Sequence, residues 1–307
     1  MQATASFVHT GRGVLRISGD DRVAFLQSLI SNDVAKVAAA GAAAGRVVYA
    51  ALLTAQGRFL HDFMVAGVGD ALYLDAEGAR LGDLLRRLSL YKLRSRVALA
   101  DVSADFAVGI VFGAAALAAF GLPGEPGAAI ALGRGVIYVD PRLPALGARA
   151  ILPREELHLL RRAGIGDGKA EDYDSLRLSL GVPDGSRDLP VERALLLENG
   201  FDELNGVDWK KGCYVGQELT ARMKYRALVR KRLVPVRIEG PMPAAATPVL
   251  LGEEEAGEMR SSSGAFGLAL LRIDAVEQSV RDGRPLTADQ ARLVPILPPA
   301  DATKAAG

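Results

Sequence analysis

Residues 47–65 read as one hairpin. Val47 to Leu53 has strand character, Ala55-Gln56-Gly57-Arg58 has the composition of a turn, and Phe59-Leu60-His61-Asp62-Phe63-Met64-Val65 is a second strand. So short a connection makes the two strands antiparallel neighbours, because parallel neighbours need a long crossover. The hairpin therefore favours an α+β fold over a parallel, doubly wound sheet.

The rest of the chain fits that class. Val14-Leu15-Arg16-Ile17 is strand-like, and Gly19-Asp20 offers a cap for a helix carrying Val23, Phe25, Leu26, Leu29 and Ile30 at helical spacing. A strand at Ala71 to Leu74 precedes a helix from Ala79 to Leu90, with Leu81, Leu84, Leu85 and Leu88 on one side. A second group begins near Val97. It has strands at Val97 to Leu99, Phe106 to Val111 and Val136 to Val139, and a short helix at Ala114 to Phe120. Pro153 suits the first turn of a helix running to Arg162. Another helix carries Tyr173, Leu176, Leu178 and Leu180 and stops at Gly181-Val182-Pro183.

Beyond Arg230 helix signals are sparse. Short strands at Leu233 to Ile238, Val249 to Leu251, Ala265 to Ile273 and Ala291 to Ile296, separated by turns, predict a small all-β barrel or sandwich. The expected organisation is an N-terminal α+β part at 1–96, a second α+β part at 97–229, a β-barrel at 230–297 and a disordered tail at 298–307.

The 307 residues suffice for a sizeable core. The 37 lysines and arginines nearly cancel the 36 aspartates and glutamates, so direct nucleic-acid binding is not expected. A local basic run, Arg222 to Arg232, reads as a solvated connector or as a lure for an anionic partner. The single cysteine excludes a disulfide framework and fits a reducing compartment. No stretch is apolar enough to span a bilayer, and the start has no signal-peptide pattern. A cytoplasmic protein with no membrane partner is therefore expected. There is no P-loop and no dinucleotide fingerprint, and Gly164 to Gly168 follows a helix rather than a strand. His9, His61 and His158 are scattered, so no stand-alone zinc site is expected.

The one cysteine lies in Lys210-Lys211-Gly212-Cys213-Tyr214-Val215-Gly216-Gln217-Glu218. An iron–sulfur cluster needs about four ligands, so a lone thiol cannot hold one by itself. If it is functional, Cys213 is a single nucleophile, a redox sensor or one shared ligand. Lys210 and Lys211 would favour the thiolate if they lie near the sulfur. Free cysteines are usually buried and inert, and composition alone favours that reading. The flanking glycines, lysines and Glu218 shift the balance toward function.

This motif, continued by Leu219-Thr220-Ala221-Arg222, resembles the signature of the YgfZ family. These are folate-binding proteins that support iron–sulfur enzymes and are related to the glycine-cleavage T-protein, an aminomethyltransferase. Phe25 to Leu29 with Ser31-Asn32-Asp33, Gln56 to Phe63, Tyr91 to Val97, Leu176-Arg177-Leu178 with Gly181-Val182-Pro183, and Leu189-Pro190 with Glu192 add to the resemblance. It covers most of the chain up to about Leu233.

The resemblance implies three lobes around a central channel, with a C-terminal β-barrel as one lobe and tetrahydrofolate or a derivative in the channel. It implies that Lys211 and Cys213 work within a motif completed by Gly212, Tyr214, Gly216, Gln217, Glu218 and Arg222. Asp62 matches a T-protein carboxylate that works beside the folate. Arg177 would face the folate's glutamate tail or lie on the polar face of its helix, and Tyr214 would stack on a ligand ring or fill core.

The implied function is an accessory protein for assembly or repair of 4Fe–4S clusters, with Cys213 as working thiol. Its partners would be reduced folate and iron–sulfur client or carrier proteins, through which it affects tRNA thiolation and lipoate synthesis. A transient cluster could be shared between Cys213 and a partner's thiols. Two departures argue against aminomethyl transfer: residues 140–150 lack the acidic loop of T-proteins, and Ser179 stands where they usually place a glutamate. A folate-dependent aminomethyl- or methyltransferase and a non-catalytic scaffold are the alternatives.

Overall fold

The computed structural model describes residues 3–38 and 45–297. The tail expected at 298–307 lies outside the described residues. The chain forms two compact units. The first is Met1–Ala170, Pro190–Leu196 and Phe201–Arg222; the second is Glu171–Leu189, Leu197–Gly200 and Met223–Gly307.

The first unit holds two sheets. The expected hairpin is present as strands Val48–Leu53 and Phe59–Val68, with Ala50 opposite Phe63 and Ala51 opposite Asp62. It extends into a five-stranded sheet through Ala71–Glu77, Arg12–Ser18 and Ala98–Asp101. Side chains alternate between the faces of a strand. One face therefore sends Ala50, Leu52, Phe63, Val65, Leu15 and Leu74 into a buried apolar cluster. Leu81, Leu84 and Leu88 of helix Leu81–Lys92 complete it, their spacing placing them on one stripe. Burying each such leucine stabilises the unit by about 1.5–3 kcal/mol.

The opposite face is different. Tyr49 stands opposite Met64, Met64 opposite Asp75, and Asp75 opposite Val14, so the four share one cross-strand row. All are buried. A buried carboxylate and phenol need partners. Several come from the second sheet, whose seven strands run in the order Gly166–Asp167, Ala5–Val8, Phe106–Phe112, Ala148–Pro153, Gly135–Val139, Ala128–Leu132 and Gly45–Arg46. There Tyr138 lies directly opposite Arg149.

Three expected helices differ. The one after Gly19 ends at Gln27, because the amide of Ser31 donates to the carbonyl of Ala51 rather than back along a helix, and Ile30 bridges to Leu52. The segment after Pro153 is a 3-10 helix, Arg154–Leu160, and only Ala118–Phe120 is helical in the 114–120 stretch.

The second unit contains a closed six-stranded barrel. Its strands run Lys231–Glu239, Phe266–Arg272, Glu254–Ser263, Pro248–Leu251, Leu286–Ala288 and Ala291–Pro295, and the last pairs with the first. Val236, Val249, Met259, Leu271, Leu286 and Leu293 fill its core. A helix, Ile273–Asp282, interrupts the stretch expected to be wholly β.

Candidate functional site

Cys213 is exposed, so it is not a core filler. The loop that carries it is fastened on both sides to the turn after helix Arg22–Gln27: the amide of Asp208 donates to the carbonyl of Ser31 at 3.0 Å, and that of Val215 to the carbonyl of Ser28 at 3.1 Å. Lys211 completes the attachment. Its Nζ donates to the carbonyls of Gln27 (2.7 Å), Ile30 (2.6 Å) and Asn32 (2.8 Å). An ammonium has three N–H donors, and three carbonyls take them. Burial lowers the Lys211 pKa to about 8, while the charges of Asp33 and Asp208 pull it back up.

The other motif residues shape the loop. Gly212 has a φ of 91° with open space around it, and Gly216 a φ of 81° in a crowded position. Tyr214 is buried, with Lys211 Nζ 5.3 Å from its ring centroid. Burial pushes its phenol up to about 12, and a hydrogen bond with Thr220 opposes the shift. The amide of Tyr214 donates to Gln217 Oε1, and the amide of Gln217 to the carbonyl of Tyr214. Glu218 lies in the first turn of helix Gln217–Tyr225, where its negative charge suits the helix N-terminus, and it pairs with Arg222 one turn on.

A pocket of about 460 Å³ lies in the same unit. Tyr49, Trp209 and Asn32 line it, together with Arg46, Lys210, Asp202 and the Lys36–Asp208 ion pair. Asn32 Nδ2 donates to the carbonyls of Tyr49 and Asn205, which ties the Lys211-bound turn to the pocket wall. Tyr49 stacks on Phe201 with ring centroids 4.9 Å apart, and its hydroxyl donates to Asp62 Oδ2 at 2.8 Å. Burial raises the Tyr49 pKa and the Asp62 charge raises it further, so the phenol keeps its proton and acts as a donor. Asp62 itself is buried and stands behind Tyr49, outside the pocket lining.

A buried ionic chain continues from Tyr49. The Arg142 guanidinium lies 5.7 Å from the Tyr49 ring centroid and pairs with Asp140 at 2.7 Å. Arg149 lies 3.8 Å from Asp140 and 2.5 Å from Asp75, which also takes Arg12 at 2.5 Å. Burial opposes the charged form of Asp75, but the guanidiniums of Arg12 and Arg149 outweigh it and hold the carboxyl well below the usual range. Asp140 is depressed in the same way, chiefly by Arg142 against its burial. The charges of residues 140–150, Asp140, Arg142 and Arg149, are thus all buried inside this unit.

Arg177 sits within the second unit. It is 3% exposed and donates to Asp174, Asp188, Ser261 and the carbonyl of Val182. These contacts tie helix Ala170–Ser179 to the 182–188 turn and to strand Glu254–Ser263. Among the described residues, no group of three or more His, Cys, Asp or Glu is placed to hold a metal ion, and no helix is long and apolar enough to cross a membrane. Sequence reasoning missed Tyr49 and Trp209 as pocket residues. The single tryptophan directly before Lys210 was the available signal.

Residues 230–301 match the C-terminal beta-barrel domain of the CAF17 family. The mitochondrial iron-sulfur cluster assembly factor IBA57 of Mus musculus is 34% identical over 282 residues, covering 87% of this chain and 77% of that protein. The same factor of Homo sapiens is 37% identical over 290 residues, covering 90% and 79%. Among solved structures, the glycine cleavage system aminomethyltransferase T from Bartonella henselae aligns with a TM-score of 0.73 at 15% identity, over 96% of this chain and 85% of that one. At that identity the likeness shows the fold alone: T-protein-like, with the closed C-terminal barrel, as expected.

Two expectations need adjustment. The YgfZ resemblance holds at the level of an iron–sulfur assembly factor on a T-protein-like fold, but the matching relatives carry the name IBA57. The cytoplasmic expectation is overturned, since those relatives are named as mitochondrial. It rested on a single reduced cysteine and an unremarkable N-terminus, which do not tell one reducing compartment from another. The chain belongs to the IBA57 family of iron–sulfur cluster assembly factors.

Proposed function

We propose that this assembly factor binds a reduced folate, tetrahydrofolate or a derivative, in the Tyr49–Trp209 pocket and uses Cys213 as its working thiol. The observation that carries the reading is the exposed Cys213 on a loop bonded to the turn whose Asn32 lines the pocket. The lining fits such a ligand. Trp209, half-buried, offers aromatic surface for a flat ring, and the buried Tyr49 backs the pocket wall. Arg46 and Lys210 suit the carboxylates of a glutamate tail, while Lys36 is paired with Asp208, which lines the pocket with Asp202. The volume falls within the range of about 300–1,000 Å³ usual for small-molecule sites. A bound reduced folate would supply one-carbon-carrying chemistry. Asp62 would act through Tyr49, holding the hydroxyl that faces it. Arg177 has no part in this assignment, because its guanidinium is buried on Asp188 and Ser261.

The cluster is cargo. A thiolate ligates iron, and a 4Fe–4S cluster takes about four such ligands. Cys213 supplies one, so a client or carrier protein supplies the others. Clients would include tRNA-thiolating and lipoate-forming enzymes. Calorimetric titration with tetrahydrofolate tests the pocket: a saturable heat that weakens in Trp209→Ala is expected. No heat, with the fold intact, sinks the folate half of the proposal. Transfer of iron and sulfide to an apo-client tests the thiol: Cys213→Ser is expected to slow it, and an unchanged rate would remove Cys213 from the reaction.

A further inference from the structure

We infer that Lys211 is a positioning residue: its ammonium is an internal cation held by the carbonyls of Gln27, Ile30 and Asn32, and it fixes the Cys213 loop rather than acting on the sulfur. The inference rests on Cys213 being the working thiol only for its functional meaning; the geometry stands independently.

Three observations carry it. All three N–H groups of the ammonium meet carbonyl oxygens at 2.6–2.8 Å, which leaves no donor for a thiolate. Those carbonyls belong to residues 27–32, where the helix has ended and the backbone turns, so their oxygens lack the partners a continuing helix would give them. The same turn receives the amides of Asp208 and Val215 from either side of the lysine. Lys211 is therefore the central bond of a three-point attachment.

The shape of the site separates two cations. An ammonium directs three donors toward a converging set of oxygens. A guanidinium is planar and presents its donors as a fork. Lys211→Arg would keep the positive charge and lose the fit. If Lys211 instead favoured the thiolate by charge, arginine would serve nearly as well.

Hydrogen exchange at the Val215 and Asp208 amides reads the attachment directly, on the full chain and without any cluster or client. Lys211→Ala and Lys211→Met are expected to speed exchange at both amides by about tenfold or more, the scale of losing one charge-assisted hydrogen bond. Lys211→Met keeps the apolar stem, so it separates loss of the bonds from loss of packing. In Lys211→Ala, n-propylammonium replaces the missing stem and amine, and is expected to restore protection at both amides and the native rate of Cys213 alkylation. Tetramethylammonium carries the same charge without N–H donors and is expected to restore neither. Native protection in Lys211→Arg, or equal rescue by both cations, would overturn the inference. So would unchanged exchange in both Lys211→Ala and Lys211→Met.

Discussion

Gly57, at the tip of the first hairpin, and Gly216, three residues after Cys213, meet backbone to backbone. A Cβ on Gly57 would lie 2.7 Å from the Gly216 carbonyl oxygen, and one on Gly216 would lie 2.3 Å from the Thr54 carbonyl oxygen and 3.1 Å from the Gly57 Cα. Both residues have positive φ, 79° and 81°. Neither can carry a side chain without displacing main-chain atoms. The hairpin that defines the fold class is thus also the seat of the cysteine loop.

Gly216→Ala should therefore destabilise the protein by about 2–4 kcal/mol, from backbone strain together with overpacking. Gly212→Ala meets nothing within 4 Å and should cost only its strain, about 1 kcal/mol. Urea midpoints at constant slope measure both. Equal losses at the two positions would contradict the packing argument.

Removing the charge of Asp75 would leave Arg12 and Arg149 without their shared carboxylate. Asp75→Asn should cost about 3–5 kcal/mol at neutral pH, the usual penalty for breaking a buried pair on one side. The carboxyl's folded pKa lies below its unfolded value, about 3.9. Its contribution is therefore fully present above that value and is lost as pH falls below it toward the folded value. Urea unfolding across acid pH should show the wild type and Asp75→Asn converging below about pH 4. A constant gap between them would refute this assignment.

The pocket separates its two kinds of contact. Trp209→Ala should weaken tetrahydrofolate binding by about tenfold through lost ring contact. Arg46→Ala should weaken it about threefold and reduce its salt dependence, since an exposed cation acts through a screened charge. Tyr49→Phe keeps the ring and should leave affinity within about twofold, while costing about 1–3 kcal/mol of stability as Asp62 loses a donor. Calorimetry at low and high salt, with a urea series, distinguishes the three.

The sequence carried the hairpin, the leucine stripe of helix Leu81–Lys92 and the barrel, because each rests on local periodicity or turn chemistry. Strand Glu254–Ser263 escaped notice because Glu-Glu-Ala-Gly-Glu-Met-Arg-Ser-Ser-Ser alternates weakly, and Gly166–Asp167 because a glycine-rich stretch reads as loop. The cysteine motif was legible as a contiguous string. The pocket was not, because Asn32, Tyr49 and Trp209 converge from distant parts of the sequence. The seating of the Lys211 ammonium on the carbonyls of the 27–32 turn is likewise a tertiary fact.

The central claim is that Cys213 is the working thiol of an iron–sulfur assembly factor. Its most direct measurement is 4Fe–4S enzyme activity in cells lacking their own copy of this protein and supplied with Cys213→Ala. Cys213 is exposed, so the variant should melt within about 2 °C of the wild type, as a surface change does. The account predicts a natively folded variant that restores no activity. Full restoration by Cys213→Ala would contradict it.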